Sequence, residues 1–218
     1  HYLNGIFIHL TESQNKTYLT AVATDSHRLS SCSIEVERGN KFSSFILPKK
    51  TVYQLSNLLQ DSEDKVFMLT SDTKIQFKMG KTILVSKVID GKFPDYRKVV
   101  PTNNDKTLIV SSKDFIDSVE RVATVSVDRK EGVKLEINKD KIKLSVNSTT
   151  SGEGNETLKA SYNSDELTIS FNSRYLIDIV SEIEDSKLKM NLKDPVSPVL
   201  IEDNSDRNSY YVIMPMKI

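Results

Sequence analysis

Three stretches of the chain share one alternation of apolar and polar positions. Phe45–Val52, Leu108–Phe115 and Ile169–Leu176 each run from a short β-rich segment through a proline or polar stop to a basic residue and an amphipathic helix. Lys50, Lys113 and Arg174 mark the same point in each, at spacings of 63 and 61 residues. Beyond that point apolar side chains recur at i, i+3, i+4 and i+7, the spacing of one helix face. The face is Val52, Leu55, Leu58 and Leu59 in the first helix and Phe115, Val119, Val122 and Ala123 in the second. In the third it is Leu176, Ile179, Val180 and Ile183. Ser112 and Ser173 are the expected N-caps, because a hydroxyl there accepts a bond from an orphan backbone N–H. Pro48 suits a helix start for the complementary reason: it has no N–H to satisfy.

Between the helices the period changes to two, the mark of strands. Val66–Leu69, Lys74–Met79 and Thr82–Val88 are joined by turns at Ser71-Asp72 and Gly80, and Lys134–Ile137 and Lys141–Val146 flank Asn138-Lys139-Asp140. One helix followed by about three strands makes a unit of roughly 60 residues, too small to bury a stable core alone. Two units should therefore pair into a domain of roughly 120 residues. The first 45 residues supply only strands, at Gly5–Leu10, Tyr18–Ala23 and Ser30–Val36. The repeat count thus predicts a chain that opens inside a domain. That domain is expected over 1–96, ending at Phe93-Pro94-Asp95-Tyr96, and a second over 97–218. The fold class is α+β, with repeated helix-plus-strands units paired into domains.

Composition narrows the function classes. Of 218 residues, 38% are hydrophobic and 28% charged, as in a globular protein. Thirty basic residues balance thirty acidic ones, so no global field draws the chain to nucleic acid or membrane. Any such contact must come from a local basic face. Cys32 is alone, which points to a reducing compartment, and its place in an alternating strand predicts a core position. No apolar run approaches the ~20 residues of a membrane-spanning helix.

Catalytic chemistry has little support. Asp25 and His27 in Thr24–Leu29 could orient and act as a base for a nucleophile, but no Gly-x-Ser-x-Gly motif accompanies them. A hydrolase built on Asp25 and His27 stays as the alternative; a turn offering His27 and Arg28 to a partner fits the segment better. His1, His9 and His27 have no metal-ligand spacing, and no glycine-rich phosphate loop is present, so no metal or cofactor is expected.

Two features point to binding instead. The C-terminal Tyr210-Tyr211-Val212 run leads into Ile213-Met214-Pro215-Met216-Lys217-Ile218, an apolar tail where most chains are polar. Such a tail is either a last strand tucked into the core or part of a surface that another chain covers. Methionine adapts to varied apolar partners, and on the second reading the tail suggests a peptide-binding surface. Lys49, Lys50, Lys113, Arg121 and Arg174 recur on the repeated helices and could form one basic surface for a phosphate backbone.

Several segments together resemble one family, the bacterial sliding clamps, the β subunit of DNA polymerase III. They are Tyr2–Ile6, Ala23–Leu29, Pro48–Lys50, Asp90–Val99, Phe171–Leu176 and Tyr211–Met216, in the family's order from end to end. The resemblance implies a DNA-clamp fold of three similar domains, of which this chain carries most of the middle one and all of the last. It further implies a head-to-tail homodimeric ring when full length, helices inward around duplex DNA that is held without regard to sequence. A fragment without the first domain is expected to be a monomer. The role implied is a non-catalytic processivity factor, in the cytoplasm and on the nucleoid of bacteria. Its partners would be the polymerase III α subunit, the clamp loader, other polymerases and repair proteins, each bound through a short Gln- and Leu/Phe-containing motif.

Carried over by matching segment, the motif pocket would be walled by Leu3, Thr24, Ser26, His27, Arg28, Leu29, Pro94, Lys98, Val99, Asn172, Tyr175, Val196, Pro198, Val212, Ile213, Met214, Pro215 and Met216. His1, Tyr2, Lys49, Lys50, Lys113, Arg121 and Arg174 would face DNA, and Thr124, Val125, Glu153 and Glu156 would form the ring interface. Ser26, Lys98, Pro198 and Lys217-Ile218 depart from the residues common in relatives.

Overall fold

A computed structural model describes residues 2–37, 42–60, 63–126, 132–149 and 151–217. The strands are β1 (Gly5–Ser13), β2 (Lys16–Thr24), β3 (Arg28–Val36), β4 (Phe45–Pro48), β5 (Val66–Thr70), β6 (Lys74–Met79), β7 (Thr82–Lys87) and β8 (Lys106–Ser111). They continue with β9 (Gly132–Asn138), β10 (Lys141–Ser148), β11 (Gly152–Lys159), β12 (Leu167–Asn172), β13 (Lys187–Leu192), β14 (Val199–Glu202) and β15 (Ser209–Ile213). Three helices interrupt them: α1 (Lys49–Gln60), α2 (Ser112–Ala123) and α3 (Ser173–Val180). Each helix follows one strand and precedes three, so the strand–helix–three-strand pattern occurs at all three repeats. The chain divides into two compact units, residues 1–25 with 31–96 and residues 26–30 with 97–218.

In the second unit the repeats exchange their leading strands. One sheet runs β11-β10-β9-β12 and the other β15-β14-β13-β8. Strand β12, which leads into α3, pairs antiparallel with β9 of the preceding repeat, Ile169 opposite Leu135. Strand β8, which leads into α2, pairs antiparallel with β13 of the following repeat, Val110 opposite Leu188. Alternate residues of both sheets then turn onto α2 and α3 in one core, which includes Leu108, Phe115, Val119, Leu135, Phe171, Leu176, Met190 and Ile213.

The first unit has the sheet β4-β1-β2-β3 and the three-stranded sheet β5-β6-β7. Its core gathers Phe45, Leu47, Ile75, Phe77 and Met79, with Val52 and Leu55 of α1 against them. The aromatic residues of the Phe93–Tyr96 segment lock its C-terminal end. Phe93 stacks on Phe7 with centroids 4.9 Å apart, and the Tyr96 hydroxyl bonds His9 Nε2 at 3.0 Å.

Several sequence expectations shift. The cap of α2 is Ser111, whose hydroxyl accepts from the Asp114 N–H, and the cap of α3 is Asn172, which accepts from the Arg174 and Tyr175 N–H groups. Both lie one residue before the expected Ser112 and Ser173. Those serines are buried, and Ser112 donates instead to the Asp185 carbonyl at 2.9 Å. Cys32 is exposed rather than in the core, because Leu29 and Ser31 take the inward positions of β3. On α1 only Thr51 is buried, and Leu58 and Leu59 reach solvent. Strands β11, β13 and β14 are not among the sequence expectations, although Lys187–Leu192 alternates strictly between exposed or half-buried and buried.

Phe115, wholly buried on α2, should be far more sensitive to truncation than Leu59 on α1. Phe115→Ala is expected to cost about 3–5 kcal/mol in urea unfolding. Leu59→Ala should cost no more than about 1 kcal/mol.

Candidate functional site

The expected pocket residues of the second unit converge on the tail. Strand pairing sets Val199 opposite Ile213, so Pro198 and Met214 follow at the same end of the β14–β15 pair. The Met214 N–H donates to the His27 carbonyl at 2.8 Å, and the Met216 N–H donates to the Ser170 carbonyl at 2.7 Å. The tail is thus held by its backbone on both sides, leaving the Met214 side chain 36% exposed. Val196 reaches solvent from the β13–β14 turn, where the Asp194 carboxylate accepts from the Val196 and Ser197 N–H groups and the Ser197 hydroxyl. Those bonds, the Ser197 hydroxyl first, hold the Asp194 carboxyl below the usual carboxylate range. The Asn104 amide ties the same turn down by donating to the Pro198 and Asn191 carbonyls.

Polar groups frame this apolar surface. Asn172 caps α3 and so fixes Tyr175 in its first turn. The Tyr175 ring lies 6.2 Å from the His27 ring at an interplanar angle of 28°. The Arg28 guanidinium sits over the same ring, 4.3 Å from its centroid, and donates to the Asp178 carboxylate at 2.6 Å. Arg28 is therefore held by both a cation–π contact and an ion pair, which sets its direction. Ser26 has φ +75°, the left-handed region in which glycine is unstrained.

Not every expected pocket residue is available. Ile213 is wholly inside the core of the second unit, and Val212 and Leu29 are buried. Strand alternation accounts for Ile213: it is the last paired residue of β15, directed inward with Val199 opposite it. Leu3, Thr24 and Pro94 belong to the first unit, where Leu3 and Thr24 are half-buried and Pro94 exposed. Lys98 and Val99 are exposed at the 3-10 turn Tyr96–Val99, and Pro215 and Met216 are half-buried.

The basic residues fall at one structural position. Lys50, Lys113 and Arg174 are each the second residue of their helix, and all are exposed. Lys49 precedes Lys50, with its ammonium 5.8 Å from the ring of Tyr53. Tyr53 is exposed and escapes sequence reasoning, since its helix position reads as ordinary surface. Tyr2 is exposed, and His1 and Ile218 lie outside the described residues.

Arg121 is different. Its Nε and Nη2 donate to both oxygens of Glu156, at 2.5 and 2.7 Å. The pairing joins two residues that the resemblance assigns to separate surfaces, one facing DNA and one at the ring interface. Thr124, at the end of α2, donates its hydroxyl to the Arg121 carbonyl, while Val125 packs against the core. Glu153 is exposed on β11, which is an edge strand.

With this geometry established, the comparisons with known proteins place the chain. Residues 97–217 match the family model for the C-terminal domain of the DNA polymerase III beta subunit, and residues 1–95 match the model for its central domain. The chain belongs to the DNA polymerase III beta subunit family. It is 35% identical to the beta sliding clamp of Caulobacter vibrioides over 219 residues, covering 100% of this chain and 59% of that protein. To the beta sliding clamp of Escherichia coli K12 it is 34% identical over 218 residues, covering 100% of this chain and 58% of that protein. Among solved structures, a DnaN sliding clamp from Bartonella birtlesii bound to griselimycin superposes with a TM-score of 0.95 at 42% identity, over 100% of this chain and 59% of that one. The Caulobacter crescentus clamp gives 0.95 at 35% identity, over 100% and 58%. The chain therefore spans about three fifths of the length of the curated relatives it matches.

The Arg121 guanidinium above all, and the Ser118 hydroxyl after it, lower the Glu156 carboxyl from 4.5 to about 2. A carboxyl that ionises more readily in the folded state stabilises that state fully above its unfolded value. The contribution is lost as pH falls from about 4.5 toward about 2. Glu156→Gln should therefore flatten the stability–pH curve across that interval and leave its shape near neutrality unchanged, as thermal melts at stepped pH would show. The effect should be modest, because solvent screens the pair.

Proposed function

We propose that this chain is the central and C-terminal part, residues 1–96 and 97–218, of a bacterial sliding clamp. The clamp encircles duplex DNA without reading its sequence and tethers polymerases and other partners through a peptide pocket. It catalyses nothing itself, works in the bacterial cytoplasm and requires no metal or cofactor. The observation that carries the pocket is the exposure of apolar side chains. Among the described residues of the second unit, the exposed large hydrophobics are Val99, Val196 and Met214, at 47%, 64% and 36%. All three belong to the pocket that the family resemblance implies. A surface with a few large apolar side chains and fixed polar groups beside them suits a short linear motif.

Partners on this reading include the polymerase III α subunit, the clamp loader and repair proteins, and two copies of the whole protein join head to tail. Head-to-tail closure needs two different complementary faces on each copy. Thr124, Glu153 and the Arg121–Glu156 pair on α2 and β11 would contribute to one of them. The placement of Arg121 supports a share in this face at least as well as one in DNA contact.

A Gln- and Leu/Phe-containing peptide should bind with micromolar-order affinity in calorimetry. Met214→Ala and Tyr175→Ala should each weaken it by about tenfold or more, an effect of hot-spot size. Unchanged affinity in both variants would sink the pocket. These substitutions are preferable to removing residues 214–218, because the tail backbone makes two hydrogen bonds with the rest of the second unit.

Duplex binding should be weak, insensitive to sequence and steeply dependent on salt, since phosphate contacts release counterions. Replacing Lys50, Lys113 and Arg174 together by Ala should reduce the slope of log K against log salt by about 2 to 3. An unaltered slope would remove these residues from the interface.

A further inference from the structure

The outward face of β5-β6-β7 combines four exposed apolar side chains with a set of lysines. Ile75, Phe77 and Met79 of β6 turn into the core of the first unit, so the alternate residues face outward. Pairing then arranges the outward residues in rows: Phe67, Lys78 and Ile83 in one, Leu69, Gln76 and Val85 in the next, and Lys74 opposite Lys87 beyond them. Phe67 and Leu69 are 64% and 67% exposed, and Ile83 and Val85 are each 56% exposed.

The outward face of β9 and β10 in the second unit shows that a sheet of this fold does not require this. There β9 and β10 bring Glu136 opposite Lys143. Glu136 is bonded to Lys134 at 2.9 Å and lies 3.8 Å from Lys143. That face is a mixed-charge network without exposed large apolar residues among those described. On β5-β6-β7, by contrast, no outward strand position is Asp or Glu. No ion pair among the described residues involves Lys74, Lys78 or Lys87. Like charges directly opposite each other on neighbouring strands are unfavourable, and Lys74 and Lys87 are so placed. An anionic partner would offset that repulsion with its own attraction to both ammonium groups.

We propose that this face docks an acidic amphipathic helix from a partner protein. The dimensions fit: the two strands flanking β6 lie about 10 Å from each other, close to the diameter of a helix with its side chains. A helix lying along β6 would set its apolar stripe between Phe67 and Leu69 on one side and Ile83 and Val85 on the other. Lys78, between Phe67 and Ile83, would run its methylene stem beneath the stripe and carry its ammonium to an acidic flank. Lys74 and Lys87 in the row beyond would meet acidic residues toward one end of the helix. None of these residues belongs to the Met214–Tyr175 surface, so the two binding activities are separable.

The test uses the 218-residue chain and a fluorescent amphipathic helical peptide with Leu at i, i+3, i+4 and i+7 and Glu at its flanks. A control peptide carries Lys in place of Glu. The acidic peptide should bind at about 100 µM or tighter in anisotropy titrations. Binding should weaken at least about tenfold in Phe67→Ser and in Ile83→Thr, exposed positions whose replacement spares the core. The triple variant Lys74→Glu, Lys78→Glu, Lys87→Glu should transfer the preference to the Lys peptide, and Met214→Ala should leave it untouched. Equal binding of both peptides, or none at millimolar concentration, would overturn the proposal. So would a concentration-dependent dimer in sedimentation that Phe67→Ser abolishes, since a second copy would then be the occupant.

Discussion

The exchange of leading strands between repeats is the constraint on which the second unit depends. Strand β12 completes the sheet of the α2 repeat, and β8 completes that of the α3 repeat. Neither four-stranded sheet can form from one repeat alone, so the two must fold as a pair around α2 and α3. The result is a single core in which Leu135 and Ile169 from one sheet and Leu108 and Met190 from the other all pack. Because each helix starts where an exchanged strand ends, the exchange also fixes the helix N-termini. Tyr175, Lys113 and Arg174 take their positions from that junction.

Much of this was legible in the residues. Helices and most strands follow from apolar periodicity, and the repeat of Lys50, Lys113 and Arg174 marks equivalent helix positions. What escaped has physical reasons. Strand β11 reads Gly-Glu-Gly-Asn-Glu-Thr-Leu-Lys and has almost no apolar residues to alternate; it is held to β10 by backbone pairing along its whole length. The caps shifted by one because Ser111-Ser112 and Asn172-Ser173 each offer two adjacent cap formers, and only backbone geometry decides between them. The Arg121–Glu156 bond spans 35 residues and no local pattern encodes it. The pocket residues came from resemblance, and burial divides them: Met214 and Val196 are open, whereas Ile213 serves the core.

The tail shows how a flexible side chain can be presented on a rigid support. A terminal segment is ordinarily frayed, and ordering it on binding would oppose affinity. Here the backbone is already bonded at Met214 to His27 and at Met216 to Ser170. Only side-chain rotamers remain to be ordered. Methionine can still adapt its shape to different partners, so adaptability resides in the side chain while the backbone is pre-set. Tyr175, beneath Arg28 and beside His27, adds a rigid element that such an adaptable residue lacks.

The helix cations carry a related argument about strength. A helix N-terminus bears partial positive charge, so Lys50, Lys113 and Arg174 stand where the helix dipole disfavours a cation. Neither α1 nor α3 has an acidic residue in its first turn to offset it. A phosphate nearby would relieve the repulsion and meet both the side chain and the dipole. Such an attraction is long-range and direction-poor, unlike a bidentate contact to a base edge. With the whole chain at net zero charge, the pull is confined to these few positions. The sliding role proposed for the whole clamp would call for that combination, a local attraction too diffuse to prefer one register over the next.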